Sequence, residues 1–202
     1  MNRGPYLGMA SGVRLYPLDP KADEIKWSDI ADGVCRMPRF SGQMPKLQKH
    51  ETYVVGQHLC EGATLMHNRG EPEDAIKAWF IHDMTEGIWG LGDVCAPIKR
   101  VPELASVIVP WEKAIDDVIA AKIGLIVTPE IMATVRKYDM IMLLWENRDL
   151  RGKAWLDECV ETLGIHELMR FVPRGQLQAE TIAVVREEFD KIVKDLGLDK
   201  DG

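Results

Sequence analysis

Residues 71–93, EPEDAIKAWFIHDMTEGIWGLGD, decide how the chain is read. Pro72 stands where a first helical turn tolerates a missing N–H, and Glu71, Glu73 and Asp74 put negative charge at the positive end of a helix dipole. An apolar stripe follows at Ile76, Trp79 and Phe80, and the period continued by seven from Ile76 lands on Asp83. A carboxylate therefore stands where a core residue belongs. The spacing predicts a helix running to about Ile88, from one side of which His82, Asp83 and Glu86 project together. Gly87 to Gly92 then forms a glycine-rich turn ahead of Asp93.

Outward from this segment the signals stay helical. A helix is expected over about Glu51 to Asn68, with Val54, His58, Leu65 and Met66 near one face and Gly70 past its end. Before it, Ser28 reads as an N-cap for a short helix, Asp29 to Cys35, that stops before Pro38. Residues 1–26 carry Gly4, Pro5, Gly8, Gly12, Pro17 and Pro20, which predict an extended arm with a short hairpin around Val13 to Tyr16. Downstream come a short piece ending in Pro97, Ile98 and Lys99, then a long amphipathic helix, Pro102 to Ile123, bent at Pro110. Thr128 and Pro129 start a helix through about Glu146, and two more are expected over Lys153 to Leu163 and Gln178 to Leu196. No run alternates well enough to build a sheet. The expected fold class is all-α, a compact bundle in a single domain over 1–202: arm 1–26, core 27–150, C-terminal helices 151–202.

Two other helices repeat the anomaly of Asp83. In the helix after Thr128 the buried face is marked by Ile131, Val135, Tyr138 and Met142, and Asp139 falls among them. His58 stands four residues past Val54 and seven before Leu65, an imidazole on an apolar face. Burying an unpaired carboxylate costs several kcal/mol or more, so it needs a compensating partner such as a metal ion. A single inward histidine is more often a hydrogen-bonded core residue. The argument rests on His58, His82, Asp83 and Asp139 together.

Composition narrows the function classes. The 202 residues, 46% hydrophobic and 28% charged, are ordinary for a globular protein. No apolar run approaches the roughly 20 residues that cross a bilayer, and the start MNRGPYLGMASG lacks the apolar core of a signal peptide. No membrane partner and a cytoplasmic location are expected. Cys35, Cys60, Cys95 and Cys159 form no CxxC pair and read as reduced thiols. The net charge of -7 argues against a nucleic-acid polymer, which is gripped by clustered Lys and Arg, while a small anion needs only a few basic groups.

The segments DIADGVCRMPRFSGQ, YVVGQHLCEGA and WFIHDMTEGIWGLGDVCAPIKR, with His58, the His82–Asp83 pair and Asp139 in order, resemble the HD-domain phosphohydrolase superfamily. Within it they resemble the compact 5'-deoxynucleotidases and phage deoxynucleoside triphosphate hydrolases, over about Gly12 to Asp149. The resemblance implies a helical HD bundle, metal ligation by His58, His82, Asp83 and Asp139, and Glu86 as a catalytic carboxylate. It places Arg36 at a phosphate-binding position, Met37 where some members carry a sugar-sensing aromatic, and Asp93 in an element that closes the site. Arg39 and Lys99 are further candidates for phosphate, although helix-end or surface charges account for either. Trp79 and Phe80 read as core, and Trp89, beside the site, as the aromatic that touches a base.

One or two divalent ions (Mn, Co, Zn, Fe or Ni) suit this mixed nitrogen and oxygen set better than Mg. The expected substrate is a small-molecule deoxynucleotide, with dATP hydrolysed to deoxyadenosine plus triphosphate as the leading case and a homo-oligomer as the assembly. A 5'-deoxynucleotidase acting on monophosphates is an alternative, as is a non-catalytic module that binds metal or nucleotide as a signal.

Overall fold

The computed structural model describes residues 3–199. The arm forms the expected hairpin: β1 (Leu7–Gly8) pairs antiparallel with β2 (Arg14–Leu15). The backbone N–H and hydroxyl of Ser11 donate to buried Asp29 at 2.8 and 2.6 Å, fastening the hairpin turn to the first helix. The rest is all-α: α1 Trp27–Val34, α2 Val55–Asn68, α3 Glu73–Ile81, α4 Ala96–Lys99, α5 Pro102–Lys122, α6 Pro129–Glu146, α7 Lys153–Leu163 and α8 Ile182–Asp195. α5 continues through Pro110, and α6 begins as expected, with Thr128 Oγ1 accepting the Ile131 N–H at 3.3 Å. α8 starts after Thr181, since the stretch before it is held extended: Gln57 Nε2 donates to the Gln178 carbonyl at 2.7 Å and Gln57 Oε1 accepts the Glu180 N–H at 3.0 Å. No helix among the described residues is long and apolar enough to cross a membrane.

Two departures from the sequence reading shape the site. α2 begins at Val55, not near Glu51, because the preceding backbone is engaged elsewhere: Arg39 N–H donates to the Tyr53 carbonyl and Val55 N–H to the Met37 carbonyl, at 3.1 and 2.8 Å. α3 ends at Ile81 rather than Ile88. The Trp79 carbonyl, which a continuing helix would offer to the Asp83 N–H, instead accepts both the backbone N–H of His82 at 3.3 Å and its ring Nδ1 at 2.5 Å. Asp83 leaves helical geometry (φ -115°, ψ 11°) and a tighter 3₁₀ turn, Met84–Gly87, follows. His82, Asp83 and Glu86 thus project from a helix end and the turn after it, not from one helical face.

The core joins all these layers. Trp79, Phe80, Leu59, Ile30, Ile115 and Phe189 are completely buried within it. Trp79 lies against Gly62 of α2, where an added Cβ would come 2.0 Å from the indole, and its ring N–H donates to the Leu59 carbonyl at 2.9 Å. Gly33 of α1 lets that helix approach the 84–87 turn backbone to backbone, since its Cβ would come 2.1 Å from the Gly87 carbonyl oxygen. A flexible side chain can yield to such an intrusion; a backbone cannot. Gly33→Ala should therefore destabilise the fold by about 2 kcal/mol or more, lowering Tm by roughly 4 °C or more. Gly8→Ala, where a Cβ meets nothing within 4 Å, should leave Tm nearly unchanged. Thermal unfolding of both variants checks the contrast, and equal melting points would mean that α1 does not rest on this turn.

Candidate metal centre

The site starts from two imidazoles whose orientation is dictated by their neighbours. His58 of α2 is completely buried, and its Nδ1 lies 2.7 Å from Oε1 of Glu146, itself completely buried at the end of α6. His82 caps α3, and its Nδ1 faces the Trp79 carbonyl oxygen, which can only accept. In both rings the proton therefore belongs on Nδ1, leaving a lone pair on Nε2. Both Nε2 atoms are buried without a hydrogen-bond partner. Buried polar atoms are rarely left so, and two lone pairs facing one space call for a cation.

Carboxylates complete that space. Asp83 Oδ2 lies 3.3 Å from His82 Nε2 and 3.8 Å from His58 Nε2, and Asp139 Oδ1 is 3.8 Å from His58 Nε2. One ligand atom each from His58, His82 and Asp139 falls within a mutual 4.8 Å. Two nitrogen and two oxygen donors at these separations fit a divalent transition ion. The side chain of Asp139 is 34% exposed while His58 is fully enclosed, so the group opens to solvent on the α6 side. Of the sequence-predicted ligands, His58, His82 and Asp139 form one mutual group, and Asp83 lies against its two imidazoles.

Charge around the group is unbalanced in a way that favours a cation. Five carboxyl groups, Asp83, Asp139, Glu86, Asp93 and Glu146, gather around two nearby cations, Arg39 and Lys99. Burial opposes ionisation of Asp83, but without an ion the positive charge of His82 when doubly protonated, of Arg39 and of His58 likewise protonated outweighs it and holds the carboxyl below its usual range. For Glu86 burial dominates, reinforced by Asp83 and Asp93, and its carboxyl is pushed well up. Glu86 Oε1 lies 3.6 Å from Lys99 Nζ, while its buried Oε2 has no hydrogen-bond partner.

The other sequence-predicted residues divide. Arg36 is turned away: its side chain is 59% exposed and donates to the Asp32 carboxylate and carbonyl at 2.9 and 2.8 Å, as a helix-end arginine does. Arg39 occupies the position expected of Arg36, buried beside the cluster, with Nη1 3.2 Å from Asp83 and Nη2 3.4 Å from Glu146. Asp93 Oδ2 accepts the Phe40 N–H at 2.9 Å, joining the loop after Gly92 to the one that carries Arg39. Met37 lies against Gly92, with Sδ 3.0 Å from where its Cβ would stand. Lys99 donates to Glu112 at 2.5 Å and sits 5.8 Å from the Trp89 ring centre. Trp89 itself is 1% exposed, donates to the Gly92 carbonyl at 2.9 Å and meets Trp111 edge-on, so it is core and not available to a base.

Three carboxylates were missed. Glu146 stands seven residues after Asp139 and four after Met142, on the same inward stripe of α6, a position that could have revealed it. Glu112 and Asp116 share the inner stripe of α5 with buried Ile115 and Ile119. Asp116 accepts the hydroxyl of Thr85, beside Glu86. Burial pushes the Asp116 carboxyl up to about 7; the Thr85 hydroxyl pulls against it, and Glu112 and Asp83 push with it.

No family model matches the chain. A stretch of 93 residues is 36% identical to an uncharacterized protein of Rhodobacter capsulatus, covering 45% of each chain. The match thus spans less than half the length of that relative.

Two outcomes are expected of this site. Metal content of the purified protein should fall to background in His82→Ala, which removes one of the two bare nitrogens, and equal content in both proteins would dismiss the cluster as a metal centre. The second concerns pH. Because folding raises the Asp116 pKa from 3.8 to about 7, its contribution to stability is fully present below pH 4 and lost as pH rises through 7. In chelator-treated protein, Asp116→Asn should lose less melting temperature than the parent between pH 5 and pH 8. Identical pH slopes would show that Asp116 ionises normally.

Proposed function

We propose that the chain is a divalent-metal-dependent phosphohydrolase of HD type that releases the 5'-phosphate end of a small deoxynucleotide, with dATP to deoxyadenosine plus triphosphate as the specific reaction. The observation that carries the reading is the pair of buried, unpartnered Nε2 atoms of His58 and His82 facing Asp83 and Asp139, with Glu86 beside them. The resemblance of the three sequence segments to deoxynucleotide hydrolases supplies the substrate class.

His58, His82, Asp83 and Asp139 would hold the ion. When bound, a Mn, Co, Fe, Ni or Zn ion supplies Lewis acidity and lowers the pKa of water. Glu86 has the properties of a general acid or base: a buried carboxyl with a raised pKa, one oxygen near Lys99 and the other free to take or give a proton. Arg39 brings a permanent positive charge with planar donors to the edge of the cluster, where it would neutralise charge developing on the phosphoryl oxygens. Asp93 holds that loop through the Phe40 N–H. The same groups would serve a deoxynucleoside monophosphate, and the product distinguishes the two substrates.

A panel of deoxynucleoside mono- and triphosphates with Mn or Co, followed by chromatography of the products, tests the proposal. Deoxyadenosine and triphosphate are expected from dATP, and the absence of phosphate release from every member would remove the hydrolase reading. Glu86→Gln should lower kcat about 100-fold or more while metal content and Tm stay near the parent's. Lost metal in this variant would make Glu86 a ligand, and unchanged turnover would end its assignment to proton transfer.

A further inference from the structure

Arg151 is a cation without a carboxylate. It ends a π-type turn, Asn147–Arg151, that follows α6, and its guanidinium carbon lies over two aromatic rings, 4.6 Å from the centre of Phe40 and 4.3 Å from that of Trp155. Its one side-chain hydrogen bond goes to a neutral group, Asn147 Oδ1, at 3.2 Å, and its buried Nε has no partner. Arg39, Arg148 and Arg186 each have a carboxylate within ion-pair distance. Among the described residues Arg151 has none. Burial lowers its pKa, against weaker opposing effects of Cys159, Cys95, Glu146 and Glu158.

A partly buried charge of this kind needs compensation. The two aromatic rings supply part of it, but they occupy none of its N–H donors. Those donors suit an oxyanion, which guanidinium binds with two parallel hydrogen bonds. The location gives the anion a context. Phe40 also carries Arg39, whose guanidinium carbon is 5.4 Å from the ring centre, so the cation at the histidine and aspartate cluster and the cation at Arg151 share one ring. Phe40 and Ser41 both adopt left-handed backbone (φ 52° and 51°), a strained conformation for side-chain-bearing residues, held by the hydrogen bond from Phe40 N–H to Asp93. Trp155, 45% exposed, forms the outer wall.

We propose that Arg151, set against Phe40 and Trp155, is a second anion site that takes the outer phosphates of a polyphosphate whose reacting end lies at the histidine and aspartate cluster. The inference rests on the reading of the cluster as a phosphohydrolase site and deepens it. Arg39 and Arg151 share the Phe40 ring, so a chain of phosphates that starts beside Arg39 would reach Arg151 while a monophosphate ends at the cluster, and Arg151 would favour a nucleoside triphosphate over a monophosphate.

The test is modification of arginines in the full-length, Mn-supplemented protein by phenylglyoxal, mapped by mass spectrometry, with inorganic tripolyphosphate, orthophosphate or sulfate present at equal ionic strength. Tripolyphosphate is expected to slow modification of Arg151 about 10-fold or more, the scale of a charged hydrogen bond, and orthophosphate and sulfate far less. An unchanged rate, or equal protection by sulfate, would overturn the proposal. In parallel, Arg151→Gln should lower the ratio of kcat/KM for the triphosphate to that for the monophosphate by about 10-fold or more. An unchanged ratio contradicts the assignment. A residue serving only to brace the turn would change Tm and leave that ratio alone. If the parent hydrolyses nothing, the function proposed above fails by itself, and tripolyphosphate protection still decides whether Arg151 is an anion site.

Discussion

Glu146 and the Trp79 carbonyl each hold the Nδ1 side of one histidine, and that pair of hydrogen bonds determines what the centre of this protein can be. Turning either imidazole would break a hydrogen bond to a buried oxygen, so both Nε2 lone pairs are kept pointing into the same space. Hydrogen bonds on the far side of a histidine fix its tautomer and strengthen it as a ligand, and here the two partners come from different sources. One is a carboxylate at the end of α6. The other is a main-chain oxygen freed because α3 stops where it does. The end of α3 and the making of the site are one event: the same carbonyl that would have extended the helix orients His82 instead.

The surrounding packing serves that arrangement. Backbone contact at Gly33 sets the 84–87 turn against α1, and with it Glu86. Trp79 fills the space beside Gly62 and stacks near both imidazoles, with ring centres 5.0 Å from His58 and 4.5 Å from His82. Arg39 is held by its backbone against Tyr53 and by its side chain against Asp83 and Glu146, which brings one positive charge into an otherwise acidic cluster. Each contact removes freedom from a group near the gap, as a site preorganised for an ion or a charged substrate requires.

Much of this was legible in sequence, for a physical reason. Helices announce themselves by period and by their ends, so Thr128 with Pro129 located the start of α6, and the carboxylates at Glu73 and Asp74 the start of α3. The ligands stood out as polar residues on apolar stripes. What stayed hidden depended on tertiary hydrogen bonding. The early end of α3 comes from a side-chain-to-backbone bond that no propensity encodes, and the late start of α2 from backbone pairing between segments 37–39 and 53–55. Arg36 and Arg39 lie three residues apart and carry the same side chain. Only the pairing of Arg39 with Tyr53, Asp83 and Glu146, set against that of Arg36 with Asp32, decides which one turns inward. Trp89 shows the converse limit: an aromatic in a glycine-rich turn resembles an exposed binding residue, yet its indole is satisfied by Gly92 and closed over by Trp111.

The claim that two histidines and two carboxylates form a metal centre is tested most directly by X-ray absorption spectroscopy at the cobalt edge of the cobalt-loaded protein. The expected spectrum shows the multiple-scattering pattern of two imidazole ligands together with oxygen donors, reduced to one imidazole in His58→Ala. A shell of oxygen alone, or a spectrum indifferent to His58, would contradict the account.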